Sequence, residues 1–120
     1  MMQIVAILLV LGVAFPAQAG WTKVKSQDVL SAQVIGKDWV EPKSGGWFRL
    51  RKNGKLTGGF QGKKISGKWV WKKNVVCYSR KLGTEKLPPD CIAIRVDGDK
   101  LTTTRKSGKG RTINYVRKQA

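Results

Sequence analysis

Two cysteines, seven carboxylates and no histidine make up the reactive inventory of this 120-residue chain. That inventory excludes more chemistry than it offers. Without histidine a single chain has no imidazole general base, no Ser-His-Asp arrangement and no His-ligated metal. Cys77 and Cys91 are too far apart for a redox pair of the two-residue spacing and too few for a zinc site. Paired-carboxylate hydrolysis would need two of Asp28, Asp38, Glu41, Glu85, Asp90, Asp97 and Asp99 to converge in one cleft. The closest pair, Asp97 and Asp99, brackets Gly98 where Asp-Gly favours a turn for backbone reasons, and the further ligands of a calcium loop are missing. Gly45-Gly46 and Gly58-Gly59 stand in strand-like surroundings, without the helix that a phosphate or dinucleotide loop requires. The expectation is a protein that is not an enzyme and takes no cofactor or metal.

Charge is the second kind of chemistry available. With 24 Lys and Arg against seven Asp and Glu, the formal net charge is +17. Twelve of the basic residues lie between Pro42 and Thr84 with no acid among them, and seven more follow Asp99 under the same condition. Residues of one parity on a strand share a face, so Trp47, Arg49 and Arg51, with Lys68 and Lys72, should form a basic surface bearing an aromatic ring. A surface of this kind attracts polyanions: an anionic envelope component, an acidic glycan or an acidic protein, with nucleic acid less favoured. Alternating lysines are also what a solvated sheet face and a protected edge look like, but solubility needs nothing near this net charge.

The elements that must position these residues are strands. Ile65, Gly67, Trp69 and Trp71 fall on one parity and Ser66, Lys68 and Lys72 on the other, the period of a half-buried strand. Lys73-Asn74 turns the chain, and Val75 to Arg80 resumes the alternation; Tyr78 shares a parity with Arg80, which allows an outward ring or, equally, cross-strand packing. Pro88-Pro89 cannot donate ladder hydrogen bonds, so the segment Leu82 to Asp90 is expected to be an exposed loop before the next strand at Cys91. Antiparallel neighbours would then place Cys77 and Cys91 where a disulfide can bridge them. Closing a loop of roughly 15 residues is worth about 3 kcal/mol in the chain-entropy account.

Earlier in the chain, Asn53-Gly54 is a strong hairpin signal between a strand carrying Phe48 and Leu50 on its apolar face and a return strand carrying Leu56 and Phe60. Gly58-Gly59 suggests a bulge or bend there. Lys25 to Ile35 could form a short helix with Ser26 as its N-cap, and the following KDWVEP reads as an edge strand or extended arm. Ile92, Ile94, Val96, Leu101, Thr103, Ile113 and Tyr115 complete the inward set. The sum is mainly β, a small antiparallel meander or barrel of about seven or eight short strands with a short N-terminal helix and one disulfide.

The apolar run from Ile4 to Phe15, followed by Pro16 and Ala17-Gln18-Ala19, reads as a secretory signal peptide over residues 1–19, leaving residues 20–120 as a single exported domain in the periplasm or outside the cell. The run is too short to span a bilayer, which takes about 20 residues. A monomer without a membrane anchor is expected.

The residues GKWVWKKNVVCYSRK and DCIAIRVDGDKL resemble a pattern of small exported bacterial β-barrels of unknown function, described as lipocalin-like: a Gly-x-Trp strand, a Cys-Tyr strand, a second Cys and an Asp-Gly turn. The resemblance covers about Gly46 to Tyr115. It implies a barrel and brings no catalytic residues. The Gly-x-Trp and paired-Cys elements are also similar to the small barrel inhibitors of secreted bacterial proteases. Two alternatives to polyanion binding therefore stand: inhibition or chaperoning of an acidic exported protein, and carriage of a small apolar ligand in an interior lined by Phe48, Leu50, Phe60, Trp69 and Trp71.

Overall fold

The computed structural model describes residues 20–119, so the expected signal peptide over 1–19 lies outside the described residues. In chain order the elements are β1 (Thr22–Lys23), α1 (Gln27–Gln33), β2 (Trp39–Val40), β3 (Trp47–Leu50), β4 (Lys55–Phe60), β5 (Lys63–Lys72), β6 (Val75–Leu82), β7 (Glu85–Asp97), β8 (Lys100–Thr104), a single turn α2 (Arg105–Gly108) and β9 (Thr112–Arg117). Every pairing is antiparallel. Strands β2 to β9 close into an eight-stranded barrel, because β2 pairs with β9 and β8 pairs with both β9 and β7. The ninth strand, β1, takes up the edge of β7 at Arg95 and Val96, beyond Ile92 where its pairing with β6 ends.

The antiparallel meander sorts the connections to two ends. The hairpins β3–β4, β5–β6 and β7–β8 lie at one end; the β2–β3, β4–β5, β6–β7 and β8–β9 connections lie at the other. The first end is filled. Ser26 caps α1, its hydroxyl accepting from the Val29 N–H at 3.2 Å. The helix buries Leu30, and its C-cap Val34, with Trp39, against Leu50, Val96 and Leu101. The Gly36 N–H donates to the Leu50 carbonyl, tying the segment after α1 to this end. Trp39 has no exposed surface, and its indole N–H donates to the Val34 carbonyl at 3.1 Å; that of Trp69 donates to the Arg51 carbonyl at 2.9 Å. Both rings therefore bury their apolar area without leaving a polar atom unpartnered.

The predicted helix is present, but it is internal to the chain, since β1 precedes it. Segment KDWVEP is neither edge nor arm: Trp39 and Val40 pair with β3 on one side and β9 on the other. The segment around Pro88-Pro89 is not a free loop. Strand β7 pairs with β6 from Glu85 to Ile92, and the prolines fall where the register slips between Tyr78↔Asp90 and Arg80↔Leu87. A bulge is the place in a ladder where missing N–H donors cost least. Cys77 stands directly opposite Cys91 and the disulfide is formed, as expected.

Two glycines let the barrel close so tightly. A Cβ at Gly67 would run into the Ser79 carbonyl and the Arg80 backbone of β6, and one at Gly58 into the Trp47 carbonyl of β3. The register of β4 is unbroken on both sides, so Gly58-Gly59 marks close approach and not a bulge. Gly67→Ala should therefore destabilise the fold by about 1–3 kcal/mol, the usual cost of forcing atoms into packed space. Urea unfolding of the two proteins measures it; an unchanged midpoint would mean that β5 and β6 can separate without loss.

Candidate functional site

The end opposite α1 is open and hollow. Between the β2–β3, β6–β7 and β8–β9 connections a cavity of about 280 Å³ runs into the barrel. Its walls come from seven strands: Phe48 and Leu50 of β3, Phe60 of β4, Ile65 of β5, Tyr78 and Leu82 of β6, Ile92 of β7, Thr103 of β8, Ile113 and Tyr115 of β9. Phe48 and Tyr115 meet edge to face, with centroids 5.0 Å apart and planes at 87°. Of the five residues expected to line an interior site, Phe48, Leu50 and Phe60 do so. Trp69 and Trp71 do not reach it: they belong to the packed half of the barrel, Trp69 in the core and Trp71 against it.

The shared parity of Tyr78 and Arg80 leaves Tyr78 either outward or packed across strands. Both point inward, on the parity of Val76 and Leu82, and both line the cavity. Cys77, Ser79 and Lys81 take the outer face. The apolar residues at either end of the strand, Val76 and Leu82, carried the parity, and the charge of Arg80 masked it. Arg80 stacks on its neighbour, with its guanidinium carbon 5.0 Å from the Tyr78 ring centroid. Its Nε is buried and has no hydrogen-bond partner. Arg105, from the turn after β8, also lines the cavity. Glu41 is the one acid among the lining residues, and its carboxylate is occupied in its own turn, accepting from the Lys43 and Ser44 N–H groups and the Ser44 hydroxyl. Those same bonds, the Ser44 hydroxyl first, hold the Glu41 carboxyl below its ordinary value.

The predicted basic face is on the outer wall. Arg49 is not available to a ligand in the way expected: its Nε donates to Asp38 Oδ1 at 2.6 Å. Arg51, Lys68 and Lys72 are exposed. Trp47 lies against Gly59, whose missing Cβ would meet the indole, and its edge reaches the cavity rim. The five residues thus lie on one outer wall and do not converge on a common point. Lys55, which was not singled out, stands directly opposite Lys68.

Among the described residues no group of His, Cys, Asp or Glu is placed to hold a metal ion, and no helix is long and apolar enough to cross a membrane. Burial pushes the Tyr78 phenol above its ordinary value, with Arg80 opposing, and does the same to Tyr115, with Thr103 opposing. These are the two tyrosines of the chain. Because the folded state holds both protons beyond the unfolded value near 10, stability is intact below about pH 10 and falls as pH rises through the folded-state values. Absorbance titration of native protein should show both phenols ionising above the value found in urea. A native phenol titrating with the unfolded chain would contradict a low-dielectric cavity wall.

No family model, curated protein or solved structure matches this chain, so its chemistry rests on the geometry above.

Proposed function

We propose that this protein is an exported binding barrel that carries a small, mainly apolar molecule in the open half of its interior. The observation that supports it best is the uneven filling of the barrel, with α1 and Trp39 closing one end and a largely apolar cavity of about 280 Å³ at the other. At about 30 Å³ per water-sized group, that space suits roughly nine or ten non-hydrogen atoms. Eight strands are about the number at which a barrel interior is either filled by side chains or holds one small ligand. The disulfide is compatible with the periplasm or the extracellular space, where such bonds persist.

A neutral eight-carbon alcohol, 1-octanol, is the simplest probe of matching size. It should bind with one-to-one stoichiometry by calorimetry, with an affinity that changes less than twofold between about 50 and 500 mM salt, since no charge is involved. Leu82→Trp, which adds bulk at the cavity wall, should abolish binding while leaving the circular dichroism spectrum unchanged. Binding unaffected by Leu82→Trp would place the ligand elsewhere and sink the reading.

A second reading, recognition of a polyanion such as lipopolysaccharide by the outer wall, draws on one observation. Lys55 and Lys68 are cross-strand partners and neither is paired to an acid among the described residues, a juxtaposition that costs stability and that a bound anion would relieve. Binding here should weaken steeply with salt. The pair Arg51→Glu and Lys68→Glu should remove it, whereas Lys109→Glu and Lys118→Glu, the same charge change elsewhere, should leave most of it. Equal loss in both variants would make the charge a diffuse property.

A further inference from the structure

We infer that the molecule held in the cavity is a single-chain amphiphile with a carboxylate head, and that Arg80 is the residue that receives that head. The inference rests on the carrier reading above and adds to it the ligand's charge.

A guanidinium in an apolar wall is costly unless something there satisfies it. The ion pairs among the described residues are Arg49 with Asp38 and Arg117 with Asp99; neither involves Arg80 or Arg105. Arg80 is held inward by its position between Tyr78 and Leu82 on β6, and by Gly67, its cross-strand partner, where any side chain would strike the Arg80 backbone and Cβ. The Tyr78 ring supports one face of the guanidinium. Its Nε is left buried and unbonded, one edge of the planar fork that matches a carboxylate through two parallel N–H donors. Arg105 lines the same space and adds positive potential, and Glu41, the acid nearby, is tied to Ser44 and Lys43. Phe48, Ile65 and Ile92 offer a hydrocarbon tail apolar contact, beside the hydroxyl-bearing Ser44, Thr103 and Tyr115. The cavity is therefore apolar with one unsatisfied cationic hydrogen-bond donor, the complement of a medium-chain fatty acid anion.

Octanoate and 1-octanol have tails of equal length and differ in the head. In calorimetry at about pH 7.5 and 150 mM salt, octanoate should bind one-to-one and at least tenfold more tightly than 1-octanol. Arg80→Met keeps much of the side-chain stem and removes the charge; on that variant octanoate should bind within about twofold of 1-octanol, with an unchanged circular dichroism spectrum showing the barrel intact. Lys72→Met, an equal charge change on the outer wall, should leave octanoate binding as it was. Equal affinity of the wild type for the two probes would overturn the carboxylate assignment and leave the carrier reading standing. Octanoate preference that survives Arg80→Met would overturn the role of Arg80, and failure of both probes to bind would overturn the carrier reading and the assignment together. Should Arg80→Met fail to fold, Arg80→Lys, which keeps the charge and loses the planar fork, should lower the preference for octanoate over 1-octanol at least threefold; an unchanged preference would count against the assignment.

Discussion

Closing eight strands into a ring sets the diameter of this protein before any side chain is chosen, and an interior of that width is either filled by side chains or left to hold one small molecule. The large buried side chains are concentrated at one end. Trp39, Leu30, Leu50, Leu101 and the valines around them make a dry plug under α1. What remains is a mouth. The same economy explains the glycines, because strands β3 to β6 curve so sharply that Gly58 and Gly67 have backbone where a side chain would be. The cavity is thus a product of closure geometry, and its chemistry follows from which residues the inward parity delivers to the unfilled end.

That parity makes most of the barrel legible in the residue order. Ile65, Trp69, Ile92, Ile94, Val96 and Leu101 are buried as the alternation requires, and Asn74 and Gly54 turn the chain with positive φ of 66° and 88°. The disulfide was readable because two strands flank the intervening segment. Three features were not readable, each for a physical reason. Pro88-Pro89 argues against a ladder locally, but a register slip accommodates it, and the slip is a property of the pair of strands, not of either one. Trp39-Val40 is too short to announce itself, and only closure shows that it has a neighbour on each side.

The third concerns the site itself. Arginine is ordinarily read as an outward residue, so Arg80 makes an outward Tyr78 as acceptable as a packed one and obscures the parity of Val76 and Leu82 that places both inward. Of the interior residues expected from the sequence, Phe48 and Phe60 line the cavity toward the open end, Leu50 meets it from the packed half and the two tryptophans do not reach it, because periodicity states which face a residue occupies and says nothing of its height along the barrel axis. The outer basic wall is real as a distribution of charge. One of its members is nevertheless committed: Arg49 fastens β3 to Asp38 beside β2.

All but a few of the strand pairings join consecutive strands. The seam between β2 and β9 is different, uniting residues near opposite ends of the described chain through only Trp39↔Arg117 and Val40↔Val116, with the Lys118 N–H donating to the Asp38 carbonyl beside it. In kinetic language, the meander supplies many short-range contacts at low entropic cost, and this seam is the long loop closure that comes after them. An open meander has no inside. The cavity wall is therefore completed by the most sequence-distant strand pairing among the described residues, and a parting of that short seam would admit solvent along β9 while the disulfide-linked β6–β7 hairpin keeps its register.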